Sequence, residues 1–276
     1  MPLPKSIFLA AQTCSRKAWL LHHGHGSTTP SPADRFRMDE GEKIGGMARS
    51  LFPDGLLVQG DLNGDLTLQF IANPATTTIF EAAFHADGFI AKADILRRDS
   101  SGWHIIEVKA SLEDTAQLDH LIDDLVYTVM IAKRSGLNVF KASLMLISRD
   151  YRLGMPTDRL FVEMDQTAVV MDRLTAAQAL LPQVNVTMGA STAPPPKLIS
   201  ECRSCEFFES ACLGRDVEHS LFELPRLHVN RVAQLADLGV VAVKAIPDDF
   251  PLTDIQQRVT NAVKTGTAFV NGSMKV

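Results

Sequence analysis

The stretch from Asp87 to Ala110, DGFIAKADILRRDSSGWHIIEVKA, restricts the fold more than any other part of the chain. Two runs rich in Ile, Val and Leu flank RRDSSG, whose Asp, Ser and Gly supply turn chemistry, so the stretch reads as a β-hairpin. A turn centred between Ser100 and Ser101 sets Asp94 directly across from Glu107. Because side chains alternate along a strand, Lys109 falls on the same face as Glu107. One patch of sheet then carries two carboxylates and an ammonium group. Two acids held close together repel when both are ionised, and a divalent cation relieves that repulsion while leaving positions for water and phosphate. The lysine beside them can orient an attacking water or stabilise charge developing on the phosphate. The plain alternative is an exposed hairpin with an ordinary cross-strand charge trio. Against it stands IIEVKA, apolar on either side of Glu107 as in a buried strand, where a charge needs a partner or a metal.

Along the chain, residues 6 to 22 look helical with Cys14 near the middle, and a loop follows through HHGHGSTTPSPAD. His22, His23 and His25 fit a mobile loop in that Gly, Ser and Pro-rich setting better than a metal site. A second helix is predicted from Asp34 to Phe52, interrupted at Gly45-Gly46 and ended by a Pro-Asp-Gly turn. Leu56 to Gln59 and Leu66 to Ile71 are strand candidates, and Pro74 to Thr76 a loop. The run TIFEAAFHADGF sets Glu81 among apolar residues, either exposed or held near a site, with strand and helix both open. Glu113 to Ser135 is the clearest helix, closed by Gly136, with an apolar stripe through Leu118, Leu121, Ile122, Leu125, Val126, Val129 and Met130. Another of its faces carries His120, Asp123, Asp124, Tyr127 and Thr128, either solvated or turned toward the hairpin acids. Strands at Phe140 to Ile147 and Leu160 to Met164, then a helix from about Thr167 to Val186, complete an alternation that argues for a mixed α/β core.

With 276 residues, 46% hydrophobic and 21% charged, the chain can bury one substantial core plus an appendage. It holds no apolar run of about 18 residues, and MPLPKSIFLAAQTC lacks the apolar core of a signal peptide. Neither a membrane span nor secretion is indicated, and the cytoplasm is the expected location. A net charge of -5 lacks the basic footprint usual for nucleic-acid binding. Metal-binding carboxylates count as negative in that sum, however, and a local groove can be basic on an acidic protein.

The segment Gly189 to Lys197, GASTAPPPK, is a linker by composition, and ISECRSCEFFESACLG follows it. Three of the four cysteines, Cys202, Cys205 and Cys212, stand there as C-x2-C-x6-C, and Cys14 is remote. In a reducing compartment clustered cysteines read as metal ligands. Four thiolates suit structural zinc or an iron-sulfur cluster, and spacing does not choose between them. With Cys14 as the fourth ligand, the metal would staple the N-terminal helix to the C-terminal end.

A remote N-terminal cysteine, an Asp followed by Glu-x-Lys, and C-x2-C-x6-C in that order resemble the PD-(D/E)XK nucleases of the RecB type that carry a four-iron, four-sulfur cluster. These include CRISPR-associated iron-sulfur exonucleases and the AddB nuclease domain, and the resemblance covers roughly residues 5 to 215. It implies a restriction-endonuclease-like mixed sheet core flanked by helices over residues 1–190, a cysteine-stapled lid over 191–222, and a helical segment over 223–276. It also implies a metal-dependent deoxyribonuclease acting on single strands or ends. Asp94, Glu107 and the Val108 carbonyl would bind magnesium or manganese, Lys109 would position the attacking water, and Glu81 would be the further acid before the catalytic Asp. Cys14, Cys202, Cys205 and Cys212 would hold the cluster as a structural group. Two departures stand out. Gly45 leads to Arg49 where relatives carry a metal-binding His, and the usual Gln-x-x-x-Tyr appears as Asp123-x-x-x-Tyr127, or with Thr128 in the final place. They leave open a catalytically inactive nucleic-acid-binding module. The phrases ARSLFPDG, IFEAAFHADGFIAKADILRR and LMLISRDY resemble a bacterial subfamily in which a helical segment and then a DnaQ-like exonuclease domain follow, so this chain is expected to be the N-terminal part of a longer protein.

Overall fold

The computed structural model describes residues 2–26, 30–60 and 62–268. Part of the loop after His25, residues 27–29, and the last eight residues of the expected helical segment lie outside them. The chain divides into two compact units, residues 1–18 with 27–191, and residues 19–26 with 192–276.

The first unit is built on a mixed sheet. Its elements are β1 (Leu3–Pro4), α1 (Lys5–Thr13), α2 (Ser15–His22), α3 (Pro32–Arg49), β2 (Leu56–Leu57), α4 (Gly64–Ala72), β3 (Thr78–Ala86), β4 (Phe89–Asp99), β5 (Gly102–Leu112), α5 (Leu118–Arg134), β6 (Val139–Ile147), β7 (Phe161–Asp165) and α6 (Thr167–Gly189); α2 continues into the second unit. Strand order is β2-β3-β4-β5-β6-β7, with β1 parallel to the start of β4. β3, β4 and β5 are an antiparallel meander, whereas β5 and β6 run parallel because α5 makes the crossover between them. The α5 stripe buries Ile122, Leu125, Val126, Val129 and Met130. On the other face of the sheet, Ala48 of α3 packs with Phe80, Ile95, Ile106 and Met145. The fold is thus the expected mixed α/β sheet flanked by helices.

Several local expectations differ from the structure. Leu66 to Ile71 is helical: Leu66, Leu68 and Phe70 alternate as in a strand, but Asn63 caps the segment by accepting the Leu66 N–H at 3.0 Å, and the buried Thr67 hydroxyl accepts the Ala83 N–H at 2.9 Å. The first helix breaks at Cys14, whose φ of -152° and ψ of 109° are extended. α3 runs unbroken through Gly45 and Gly46, started by a reciprocal Ser31–Asp34 capping box with Pro32 in its first turn. α5 begins at Leu118, because β5 carries the chain out to Leu112 first.

The second unit contains α7 (Phe208–Ala211), α8 (Val229–Asp237) and α9 (Asp254–Thr265), linked by short 3-10 turns. Leu221, Leu224, Leu235, Val243 and Ile246 form its core, which also takes in Cys202. His23 stacks on Trp19 with ring centroids 3.9 Å apart. Among the described residues no helix is long and apolar enough to cross a membrane.

Candidate active site

The hairpin register is that of a turn between Ser100 and Ser101: Asp99 pairs with Gly102, Arg98 with Trp103, and so on down to Ile95 with Ile106. There the two strands part. Beyond the fork, β5 continues along β6, and the start of β4 takes β1 as its neighbour, Leu3 beside Phe89 and Pro4 beside Ile90. Asp94 stands at the fork. Its Oδ2 accepts the Val108 N–H at 2.8 Å, so a side chain satisfies the backbone donor that the departing strand would leave orphaned.

Glu107 is 2% exposed and points to the α5 side of the sheet, on the opposite face from Ile106. Two lysines converge on one of its oxygens: Lys5 Nζ donates to Oε1 at 2.6 Å and Lys109 Nζ at 3.2 Å. Asp124 of α5 bridges the same pair, its Oδ2 accepting from Lys5 at 3.2 Å and in close contact with Lys109. Thr128, one turn further along α5, spends its hydroxyl mainly on the Asp124 carbonyl at 3.2 Å. Lys5 and Asp124 are additions to the residues expected from the hairpin. Asp124 lies on the polar face of α5 noted from its spacing. Lys5 had one available signal, since a cation in the first turn of a helix opposes the macrodipole and needs an external reason to be there.

The electrostatics are uneven. Burial pushes the Asp94 carboxyl upward, the Glu107 charge adds to that, and the result is about 7 against a usual value near 3.8. Burial also works against the Glu107 carboxylate, but Lys5 and Lys109 more than reverse it and hold it near 2. For both lysines desolvation favours the neutral amine, and the surrounding carboxylates outweigh it, so each is held above its ordinary value and stays charged at neutral pH. One acid is therefore ionised and saturated with cations. The other holds its proton up to a pH of about 7.

Glu81 occupies the row between the pairs Phe80–Ile95 and Ala82–Ala93, opposite Asp94, but its φ of +58° takes it out of strand geometry. Its carboxylate accepts from Arg49 Nη1 at 2.9 Å and pairs with Lys92 Nζ at 2.6 Å. Gly41, Gly45, Arg49, Glu81, Lys92, Asp94 and Val108 border a cleft of about 370 Å³ on the α3 side of the fork.

Tyr127 is not brought to the site. It is fully buried, and its hydroxyl donates to the Ile90 carbonyl at 2.8 Å and approaches that of Leu3 at 3.2 Å. It lies in the apolar stripe of α5 and fastens β1 beside β4, which positions Lys5. Asp123 points elsewhere too, to Arg173 at 2.8 Å.

Asp94, Glu107 and the Val108 carbonyl are a donor set that fits a hard divalent cation. Two carboxylates, one of them prevented from ionising by the other and by burial, are what such a charge would stabilise. Among the described residues no three His, Cys, Asp or Glu side chains gather as a metal site. Cys202 lies in a 3-10 turn, Cys205 closes that turn with its N–H on the Cys202 carbonyl at 3.2 Å, and Cys212 follows α7. Cys14 belongs to the first unit, where its sulfur accepts the Lys17 N–H at 3.5 Å in the manner of an N-cap.

No family model matches the chain, and no curated protein matches it. Among solved structures, an alkaline exonuclease (LHK-Exo) from Laribacter hongkongensis aligns with 68% of this chain and 89% of its own, at 11% identity and a TM-score of 0.37. The structure of LHK-Exo in complex with dAMP aligns over the same shares at 13% identity and a TM-score of 0.35. Scores under one half describe a partial overlap of the two backbones.

Proposed function

We propose that this protein is a divalent-metal-dependent nuclease of the PD-(D/E)XK kind, hydrolysing phosphodiesters of DNA ends or single strands. The observation that carries the reading is the fork itself, where Asp94 and Glu107 are held by diverging strands with two charged lysines against the second of them. Asp94, Glu107 and the Val108 carbonyl would hold magnesium or manganese. When bound, the ion would polarise the phosphate and make water a better nucleophile at neutral pH. Lys109 and Lys5 stay protonated, so neither serves as a base; they hold Glu107 ionised and offer positive charge where the pentavalent phosphate gains negative charge. Asp94 contributes as a carboxylate only once its proton has left.

The test is cleavage of end-labelled single-stranded and duplex DNA with magnesium, manganese or chelator. Wild type should cut with either metal and not with chelator, and Lys109→Ala should lose about a thousandfold in rate while keeping its far-UV circular dichroism. Undiminished cleavage by Lys109→Ala would sink the assignment. A second reading, a binding module without turnover, draws on Glu81, whose carboxylate is taken up by Arg49 and Lys92. Metal-independent DNA binding with no cleavage would favour it.

On the cysteine pattern we also infer a four-iron, four-sulfur cluster held by Cys14, Cys202, Cys205 and Cys212, with zinc as the competing metal. Anaerobic purification followed by iron, sulfide and zinc analysis decides between them. Cys205→Ser should lose the metal.

A further inference from the structure

We propose that the cleft beside α3 seats a phosphodiester of the nucleic-acid strand next to the one attacked, with Arg49 and Lys92 as its cationic clamp and Gly41 and Gly45 as its clearance. The proposal rests on the nuclease reading and adds a binding site to it.

Three independent features meet there. The first is the pair of glycines. Gly41 and Gly45 lie one turn apart in α3, both border the cleft, and a Cβ built on either would meet nothing within 4 Å. A glycine inside a helix costs about 0.8–1.0 kcal/mol relative to alanine, and neither a close neighbour nor a left-handed backbone accounts for these two. What they leave is open space along one side of the helix, bordering a cleft of about 370 Å³.

The second is Glu81. A non-glycine residue at φ +58° inside a strand is strained by roughly 1–3 kcal/mol, and such strain persists where surrounding contacts hold it for a purpose. Here the twist turns the carboxylate toward α3, where it holds Arg49 and Lys92 side by side at 2.9 and 2.6 Å. Glu81 is the positioning residue of the pair. An arginine fork and a neighbouring ammonium, both partly exposed, are suited to phosphate oxygens.

The third is location. Asp94 and Val108 border the same cleft, so a strand whose attacked phosphate lies at the fork would bring its neighbouring phosphate past Arg49 and Lys92. The charges also set a condition. Glu42, Glu81 and Asp94 line the cleft against Arg49 and Lys92, so phosphate should enter well only when a divalent cation offsets the carboxylates.

The experiment is equilibrium binding of a fluorescent single-stranded oligonucleotide, read by anisotropy in calcium over a salt series, with wild type, Gly45→Leu, Arg49→Ala and Lys92→Ala. Leucine is a far better helix former than glycine, so Gly45→Leu should match or exceed the wild-type Tm, and lost binding cannot then be put down to unfolding. We expect Gly45→Leu and Arg49→Ala each to weaken binding at least tenfold, and Lys92→Ala by less. Arg49→Ala should also flatten the salt dependence by roughly 0.7 of a unit, as for one lost phosphate contact on a single strand. If wild type binds and cleaves while Gly45→Leu and Arg49→Ala bind as it does, the clamp is wrong and the nuclease reading stands. If wild type neither binds nor cleaves, both fall.

Discussion

Strand β5 takes part in a polar network on each of its faces, and the two sides have opposite characters. On the α3 face, His104, Ser143, Glu163 and Lys141 form a chain in which each donor has its acceptor: the His104 ring nitrogen meets the Ser143 hydroxyl at 2.9 Å, that hydroxyl donates to Glu163 at 3.0 Å, and Lys141 donates to the same oxygen at 3.0 Å. Burial is the main reason the His104 imidazole is pushed down to about 4, so it is neutral near pH 7 and the serine is free to pass its own proton on. Three residues along, on the α5 face, two ammonium groups crowd one oxygen of Glu107 while Asp94 is kept from ionising. The first network is closed and fixes β5, β6 and β7 together. The second is left wanting a further positive charge near Asp94. Complete pairing makes a buried polar group into architecture; incomplete pairing makes it a place for a guest.

The contrast can be broken or sharpened by substitution. Lys5→Ala should lower kcat by about 100-fold, less than the Lys109 effect, because Lys109 still neutralises Glu107. A Lys5→Ala enzyme with wild-type kcat and a lowered Tm would make Lys5 a tether only. Asp94→Asn should end cleavage while raising the Tm in chelator at pH 8 by several degrees. The sign follows from proton counting. Between pH about 4 and 7 the folded protein keeps a proton on Asp94 that the unfolded chain has lost, so wild-type stability falls as pH rises through that window. Asparagine removes this fall, and the two proteins should converge below pH about 4. Magnesium should raise the wild-type Tm at pH 8 and leave the Asp94→Asn Tm unchanged. The smallest effect belongs to the closed network: Ser143→Ala should cost about 1 kcal/mol in urea unfolding and leave kcat alone. A change in kcat there would mean that the two faces communicate.

How much of this was legible in the sequence depended on the range of the interaction. The register of the hairpin followed from turn chemistry because Asp99 to Gly102 is local, and it holds as far as Ile95 with Ile106, one pair short of Asp94 and Glu107. Where the strands part was not legible. Asp94 bonds the Val108 backbone because β5 leaves for β6, a choice made by a strand that begins at Val139. Lys5 lies 102 positions from Glu107, and no local pattern connects them. Tyr127 and Asp124 share one polar-looking face of α5, yet a tyrosine can bury its ring and still satisfy its hydroxyl, so it went to the core and Asp124 to the site. Leu66 to Ile71 misled because a short apolar alternation in a capped helix looks like a strand until its cap is recognised.

The separation of Lys5 from its partner also sets a clock. On the ribosome the segment bearing Lys5 emerges about a hundred residues before Glu107, which at usual rates of synthesis is an interval of roughly 5–20 s. Until α5 has followed, Leu3 has no Tyr127 to hold it and Lys5 has no Asp124 to meet. A nascent chain stalled between the hairpin and α5 carries Asp94 and Glu107 with Lys5 not yet fastened beside them. The site is thus completed only when nearly half of this sequence has been made and α5 has folded onto the sheet.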